Sequence, residues 1–433
     1  MNVLLITFSF PPVGGVGVLR ALSLARYLPE ADIRVDVLSA RNAPAVGKDP
    51  TLLQQVPTSV RIHRCWTLDL PFAVRKGLKR LVSNFRSAPA HATTGVNTKH
   101  GKGNFLKRII GDILLPDPQV FWLPFAIFNA RRIVRQRNID VVLITVPPFS
   151  SVRLATMLRK WFPQLPIVVD FRDEWLSTTL DLVSFNNNER ARSVATKAES
   201  EAVRDASAVV LVTEAARQEL TGRYPDVDPA KFRYIANGYE TRASEAQVER
   251  PAGEHVLLTY IGSVYGSTDP GSFVEAVLAL PADLRRRLKL RFIGHVETDA
   301  LRETLGRLGE TLELKGFVPR AEALRALEET DYLLLITHDR INVSAKFYDY
   351  VSGSRPIVAA VNPGGDVRRL LEQTGTGYWA DSSKPAEITA LLTRILSGPT
   401  TTLERNEAEI AKFHRRALAG QYAELLRELA GKA

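Results

Sequence analysis

The sequence predicts an α/β protein built from two Rossmann-like parallel-sheet domains facing a cleft. Three observations predict it. Short runs of Val, Ile and Leu alternate with segments of helical spacing from end to end, the pattern of parallel strands joined by crossover helices. Each half opens with an apolar run followed by a glycine, in the loop Ser9–Gly17 and again at Gly262. At 433 residues the chain exceeds one ordinary core.

In order, Val3–Phe8 is the first strand, Leu19–Leu28 a helix, Val35–Ser39 a strand and Val60–Trp66 a further strand candidate. Regular alternation resumes with the helix Phe121–Arg137 and strand Val141–Val146, then the helix Ser150–Trp161 and strand Ile167–Phe171. Glu189–Arg204, Ala208–Thr213, Glu214–Tyr224 and Phe232–Ala236 continue it as helix, strand, helix and strand. Tyr239–Glu254 is polar and reads as the interdomain linker. The second series has strands at Val256–Ile261, Leu288–Ile293, Leu312–Leu314, Tyr332–Ile336 and Ile357–Val361, with helices at Pro385–Leu396 and Leu403–Leu429. Val343–Val361 reads as a short helix, a glycine stop and a buried strand, with Ser344 as N-cap and Gly353 as a left-handed C-terminal residue.

Composition narrows the function classes. With 45% hydrophobic and 24% charged residues the chain is globular, and its single cysteine, Cys65, excludes a disulfide framework and fits a reducing compartment. No apolar run is long enough to suggest a membrane span, and the N-terminus lacks the basic flank of a signal peptide. The excess of 57 basic over 47 acidic residues gives +10, which favours an anionic partner. Pro71–Gly111 holds nine of these basic residues and no acid, with Val74, Leu78, Leu81, Val82 and Phe85 on one helical stripe. This insertion suits an anionic membrane surface, through Arg75, Lys76, Lys79, Arg80, Lys107 and Arg108, better than nucleic acid, for which no motif is present.

Several loops have the residue types of ligand sites. In Pro11-Pro-Val-Gly-Gly-Val-Gly17, glycines between a strand and a helix let backbone N–H groups approach a phosphate, although the third glycine of a dinucleotide fingerprint is replaced by Arg20. A tight turn without ligand is the competing reading. Asp170-Phe-Arg-Asp-Glu-Trp175 follows a strand at its carboxyl end, where ligands of open α/β sheets gather. The set can bind hydroxyls, with Asp173 as the candidate catalytic carboxylate, or form a satisfied ion-pair network. Asn237-Gly238 is either a simple turn or a source of backbone groups for a nucleotide. Lys346 in the first turn of its helix makes an anion site, and Asp349 three residues on can take sugar hydroxyls. Asp226-Val-Asp228 reads as a solvated turn, and no histidine spacing indicates a metal.

Together these pieces resemble the GT-B-fold glycosyltransferases of family 4 over nearly the whole chain. The resemblance rests on Phe-Pro-Pro-x-Gly-Gly-x-Gly, Val-Pro-Pro-Phe-Ser-Ser (146–151), Asp-Phe-Arg-Asp-Glu-Trp, Ile-Ala-Asn-Gly-Tyr-Glu (235–240), Tyr-Ile-Gly-Ser (260–263), Gly-Phe-Val-Pro (316–319) and Lys-Phe-Tyr-Asp-Tyr-x-x-Gly-x-x-Pro-Ile (346–357). It implies an acceptor-side domain over 1–240 and a nucleotide-sugar domain over 241–402, with Leu403–Leu429 packing back on the first. It implies a metal-independent, cofactor-free, retaining transferase of hexosyl type that uses a UDP- or GDP-linked sugar. Gly14, Gly15, Asn237, Gly238, Gly262 and Ser263 would border the donor, Lys346 would neutralise diphosphate charge with help from Arg340, and Asp349 would hold ribose.

Two departures stand out. Ile341 occupies the first of two positions where many members carry glutamates, and Gly262–Asp269 lacks the usual Arg and Lys. The expected function is transfer to a lipid-linked saccharide in envelope or exopolysaccharide biosynthesis, in the cytoplasm at the inner face of the membrane. The alternatives are a sugar-nucleotide epimerase or hydrolase on the same fold, and a non-catalytic partner subunit.

Overall fold

The computed structural model describes residues 1–44, 47–68, 115–179, 189–241, 255–398 and 403–431. The basic insertion with its six named cations, and linker residues 242–254, lie outside the described residues. Two compact units divide the chain. One is Met1–Leu211 with Glu219–Ile235 and Ala419–Ala433; the other is Val212–Gln218 with Ala236–Leu418.

The first unit is a seven-stranded sheet in the order β3-β2-β1-β4-β5-β6-β7. Its strands are β1 (Asn2–Ile6), β2 (Arg34–Ala40), β3 (Arg61–Cys65), β4 (Val141–Val146), β5 (Ile167–Phe171), β6 (Ala208–Leu211) and β7 (Phe232–Tyr234), with α1 (Leu19–Tyr27), α2 (Leu123–Arg137), α3 (Arg153–Trp161), α4 (Glu189–Asp205) and the second half of α5 (Glu214–Arg223), whose residues up to Gln218 belong to the other unit. Every pairing is parallel, for example Val3 with Val35 and with Val141. Each residue of β4 is buried, because helices cover both faces of a parallel sheet; five of the six are apolar, and the hydroxyl of Thr145 is paired with that of Thr7 at 3.3 Å.

The second unit repeats the plan with six parallel strands in the order β10-β9-β8-β11-β12-β13. These are β8 (Val256–Ile261), β9 (Leu288–Ile293), β10 (Leu312–Leu314), β11 (Tyr332–Thr337), β12 (Ile357–Val361) and β13 (Gly377–Asp381). The helices are α6 (Gly271–Leu278), α7 (Ala282–Arg287), α8 (Asp299–Gly306), α9 (Arg320–Glu328), α10 (Ala345–Ser352), α11 (Asp366–Thr374), α12 (Pro385–Ser397), α13 (Glu407–Ala411) and the start of α14 (Arg415–Ala430), which from Ala419 on belongs to the first unit. Its core is formed by Leu258, Tyr260, Phe273, Leu290, Phe292 and Leu334. In both sheets the first strand lies between the second and the fourth, so each has a topological switch point beside it, where ligands of open α/β sheets bind.

Three expectations are corrected. The helix expected over Leu403–Leu429 is two helices, because the Phe413 carbonyl is diverted to the Tyr239 N–H at 3.0 Å. Gly353 is extended (φ −80°, ψ 172°) rather than left-handed, since the chain turns directly toward β12. Ser344 occupies the N-cap position of α10 without a side-chain cap bond.

Candidate active site

The switch point of the second unit lies where β8 ends. Gly262 follows that strand with φ +127°, and Gly294 follows β9 with φ +142°. A Cβ on Gly294 would stand 2.2 Å from the Gly262 carbonyl oxygen, so the two loops touch backbone to backbone and only glycine fits. The Lys346 side chain reaches this point from the first turn of α10. A Cβ on Gly262 would lie 3.5 Å from Lys346 Nζ.

Two tyrosines build the seat of that ammonium. Lys346 Nζ donates to the Tyr260 hydroxyl at 2.5 Å and stands 3.8 Å from the ring centroid, which adds a cation–π contact. The Tyr260 hydroxyl donates to the Ser263 carbonyl at 2.9 Å, and its ring stacks on Phe292 with centroids 5.0 Å apart. Tyr350, one turn beyond Lys346, accepts the Ile261 N–H at 2.8 Å and ties α10 to the end of β8. Burial lowers Lys346 from 10.5 to about 7 and pushes both tyrosines up. The ammonium is thus held where an anionic ligand would restore its charge.

His338, at the end of β11, closes the same rim. Its Nε2 faces the Asp269 carbonyl and its Nδ1 the Ser382 hydroxyl, both at 2.9 Å. A carbonyl only accepts, so Nε2 donates to Asp269. Asp339 folds the next turn by accepting the Ile341 and Asn342 N–H groups at 2.8 and 2.9 Å, which leaves Ile341 buried at 5% exposure. Asp349 is half-buried on α10, and its carbonyl accepts the Ser352 hydroxyl at 2.8 Å. Arg340 lines a separate cavity of about 220 Å³ with Glu214, Gly364, Gly365, Arg368 and Arg369, whose walls include neither Lys346 nor Gly262.

In the first unit, Arg172 organises the switch point. Its guanidinium donates to the carbonyls of Val146 (3.2 Å), Pro147 (2.6 Å) and Gly17, joining the end of β4 to the glycine loop. Gly14 is held by the Gly47 carbonyl at 3.1 Å, and Gly15 adopts φ +97° with nothing near its Cβ position. Asp170 is fully buried; Arg20 binds both its oxygens at 3.0 and 3.1 Å and Tyr422 donates to one at 2.8 Å. Buried Glu174 pairs with Arg223 at 2.7 Å and accepts the Ser177 N–H at 2.8 Å. Most of this acidic motif is therefore an ion-pair network, while Asp173 is its half-buried member beside Arg172.

The remaining sequence candidates have structural duties. Gly238 lies so close to Phe413 that a Cβ would sit 2.0 Å from that carbonyl oxygen, and its own carbonyl accepts Arg415 Nε at 3.1 Å. Asp226 pairs with Arg204 at 3.0 Å and Asp228 caps Ala230 at 2.9 Å. Asp36 is buried against His63 at 2.7 Å. Among the described residues no group of His, Cys, Asp or Glu has metal-holding geometry, and no helix is long and apolar enough to cross a membrane. Sequence reasoning missed Tyr260, Tyr350 and His338. The available signal for Tyr260 was a polar-tipped ring two residues before a loop glycine, within an otherwise apolar strand.

Residues 14–238, more than half of the chain, match the glycosyl transferase 4-like domain. No curated protein matches the chain. Its fold is similar to sucrose-phosphate synthase from Thermosynechococcus elongatus, at 15% identity and TM-score 0.63 over 100% of both chains. It is also similar to the lipopolysaccharide outer core galactosyltransferase WaaB, at 12% identity and TM-score 0.60 over 99% of this chain and 100% of that one. Anabaena Alr3699/HepE in complex with UDP-glucose is similar at 14% identity and TM-score 0.55, over 100% of this chain and 98% of that one.

Proposed function

The chain belongs to the glycosyl transferase 4-like family of GT-B glycosyltransferases, and from that premise we propose that it moves a hexosyl group, with retention, from a nucleoside diphosphate sugar to a lipid-linked saccharide in envelope polysaccharide assembly. The observation that carries the reading is Lys346, whose ammonium stands beside Gly262 at the switch point of the second sheet. As the bond from sugar to diphosphate breaks, negative charge grows on the leaving phosphate. A fixed ammonium in a partly desolvated site stabilises that charge without reorganising solvent. Gly262 and Ser263 leave room for the phosphates, Asp349 takes ribose hydroxyls, and no metal or cofactor is required.

In the first unit, the loop of Gly14 and Gly15, pinned through Gly17 by Arg172, is proposed to border the donor phosphates, and the half-buried carboxylate of Asp173 to meet the incoming saccharide. UDP and UDP-glucose complexes of HepE, a structural neighbour, support a uridine-linked donor, with a GDP-linked one as the alternative. A lipid-linked acceptor places the enzyme on the inner face of a membrane, with the basic insertion as its contact.

The deciding experiment measures thermal stabilisation by UDP, GDP and ADP, because a ligand that binds only the folded state raises stability by mass action. It continues with product analysis on the stabilising donor class. Stabilisation by one diphosphate, and its loss in Lys346→Ala, is the expected result. Burial of Ile341, where a sugar-binding glutamate is common in the family, favours the second reading of a non-catalytic partner subunit. That reading predicts no nucleotide response at all.

A further inference from the structure

We infer that the joint outer surface of α2 and α3 in the first unit is a docking face for an anionic lipid bilayer. The two helices lie on adjacent crossovers and pack together. Their outer faces carry Phe128 at 69% exposure, Trp161 at 42% and Met157 at 40%, an unusual gathering of large apolar side chains in water. Around them stand Arg131, Arg132, Arg135, Arg153 and Lys160, and neither helix contains an aspartate or glutamate. The Arg131 guanidinium lies 4.7 Å from the Trp161 ring centroid and that of Arg135 lies 5.9 Å from that of Phe162, so cations and rings form one surface.

Ordinary solvation does not account for this composition. The neighbouring helix α4 is what a solvated face looks like: it mixes signs, with Lys197 and Glu201 at 3.9 Å, and exposes no large apolar residue. Rings, Met157 and arginines alone would also suit a protein interface; charge of a single sign, with Lys160 among it and no acid on either helix, is what favours an anionic bilayer as the occupant. At a bilayer surface, tryptophan and phenylalanine enter the acyl boundary while arginines meet anionic headgroups. The face is separate from the insertion at 71–111, although the membrane reading in the proposed function is the premise for expecting lipid.

The test is co-sedimentation of the full chain with vesicles of phosphatidylcholine alone and of phosphatidylcholine mixed with phosphatidylglycerol. Arg132→Glu/Arg135→Glu/Lys160→Glu should bind the anionic vesicles at least tenfold more weakly, since each basic residue near such a surface contributes roughly fivefold. Phe128→Ser should weaken binding severalfold at any salt concentration, which tests the apolar half separately. Melting temperatures of these surface variants should match the parent. If the triple variant binds like the parent while Arg75→Glu/Lys76→Glu/Lys79→Glu/Arg80→Glu does not, this face is wrong and the membrane reading stands. Absence of vesicle binding by the parent protein overturns both.

Discussion

Lys346 is held by Tyr260 in two ways at once, by a hydrogen bond to the hydroxyl at 2.5 Å and by the ring face at 3.8 Å. The hydroxyl in turn donates to Ser263, so the position of the ammonium is tied to the loop that follows β8. Tyr260→Phe keeps the ring and deletes the hydroxyl, and with it both the acceptor for Lys346 and the donor to Ser263. A hydrogen bond to a charged group contributes about 1.5–3 kcal/mol, so kcat with the donor should fall about tenfold or more while the protein melts normally. Unchanged kcat and an unchanged pH profile would remove Tyr260 from the site.

Lys346 gives a stability signature of opposite sign to its functional one. Its folded value is about 7 against 10.5 unfolded, so between those pH values the unfolded chain binds the extra proton and stability rises with pH. Lys346→Met abolishes that slope and should raise the melting temperature of the unliganded protein at pH 7 by a few degrees, while eliminating transfer. Nucleoside diphosphate binding by the parent should weaken as pH rises through 7, because the free ammonium loses its proton there. Parallel melting curves for the two proteins between pH 7 and 10 would refute the buried ammonium.

Asp349→Ala should raise the donor KM about tenfold or more with the fold intact, as expected of a carboxylate that holds ribose hydroxyls. Asp349→Asn should recover part of that loss, since an amide oxygen still accepts a hydrogen bond. Equal KM for all three proteins would reassign Asp349 to a structural role.

Asp170→Ala should destabilise the first unit by roughly 3–5 kcal/mol, the cost of leaving a buried charge unpaired. Arg20 is the charge left behind, at 9% exposure. Chemical denaturation measures this directly, and a loss under about 1 kcal/mol, the worth of an ordinary exposed pair, would contradict the pairing seen here.

Two glycines should behave differently. Gly15→Ala meets no neighbour and suffers only from its backbone (φ +97°, ψ 167°), a region essentially restricted to glycine, costing about 1–3 kcal/mol. Gly238→Ala drives a methyl to within 2.0 Å of the Phe413 oxygen, and should cost roughly 3 kcal/mol through forced backbone movement. Reversal of that order in a denaturation series would exclude the close approach.

The strands were legible where burial on both faces demanded unbroken apolar runs, as in Val141–Val146, Val256–Ile261 and Ile357–Val361. β13 was not, because it begins at Gly377, where a Cβ would lie 2.4 Å from the Ile357 carbonyl, and only its last two residues are buried. The break between α13 and α14 depends on a carbonyl taken by Tyr239, far away in sequence, so no local periodicity reveals it. Lys346 was legible as a cation in a helix's first turn. Its partner Tyr260 was not, since a tyrosine in a buried strand looks like packing until its hydroxyl is seen.

Residues Ala419–Ala433 complete the first unit, and Tyr422 among them supplies a hydroxyl to both Arg20 and Asp170. Expressing residues 1–235 alone would therefore leave that buried pair without its third member. A soluble, well-behaved fragment requires the terminal segment to be grafted onto residue 235 or supplied as a peptide. Conversely, proteolytic trimming of the last fifteen residues would loosen a sheet whose strands lie hundreds of positions upstream.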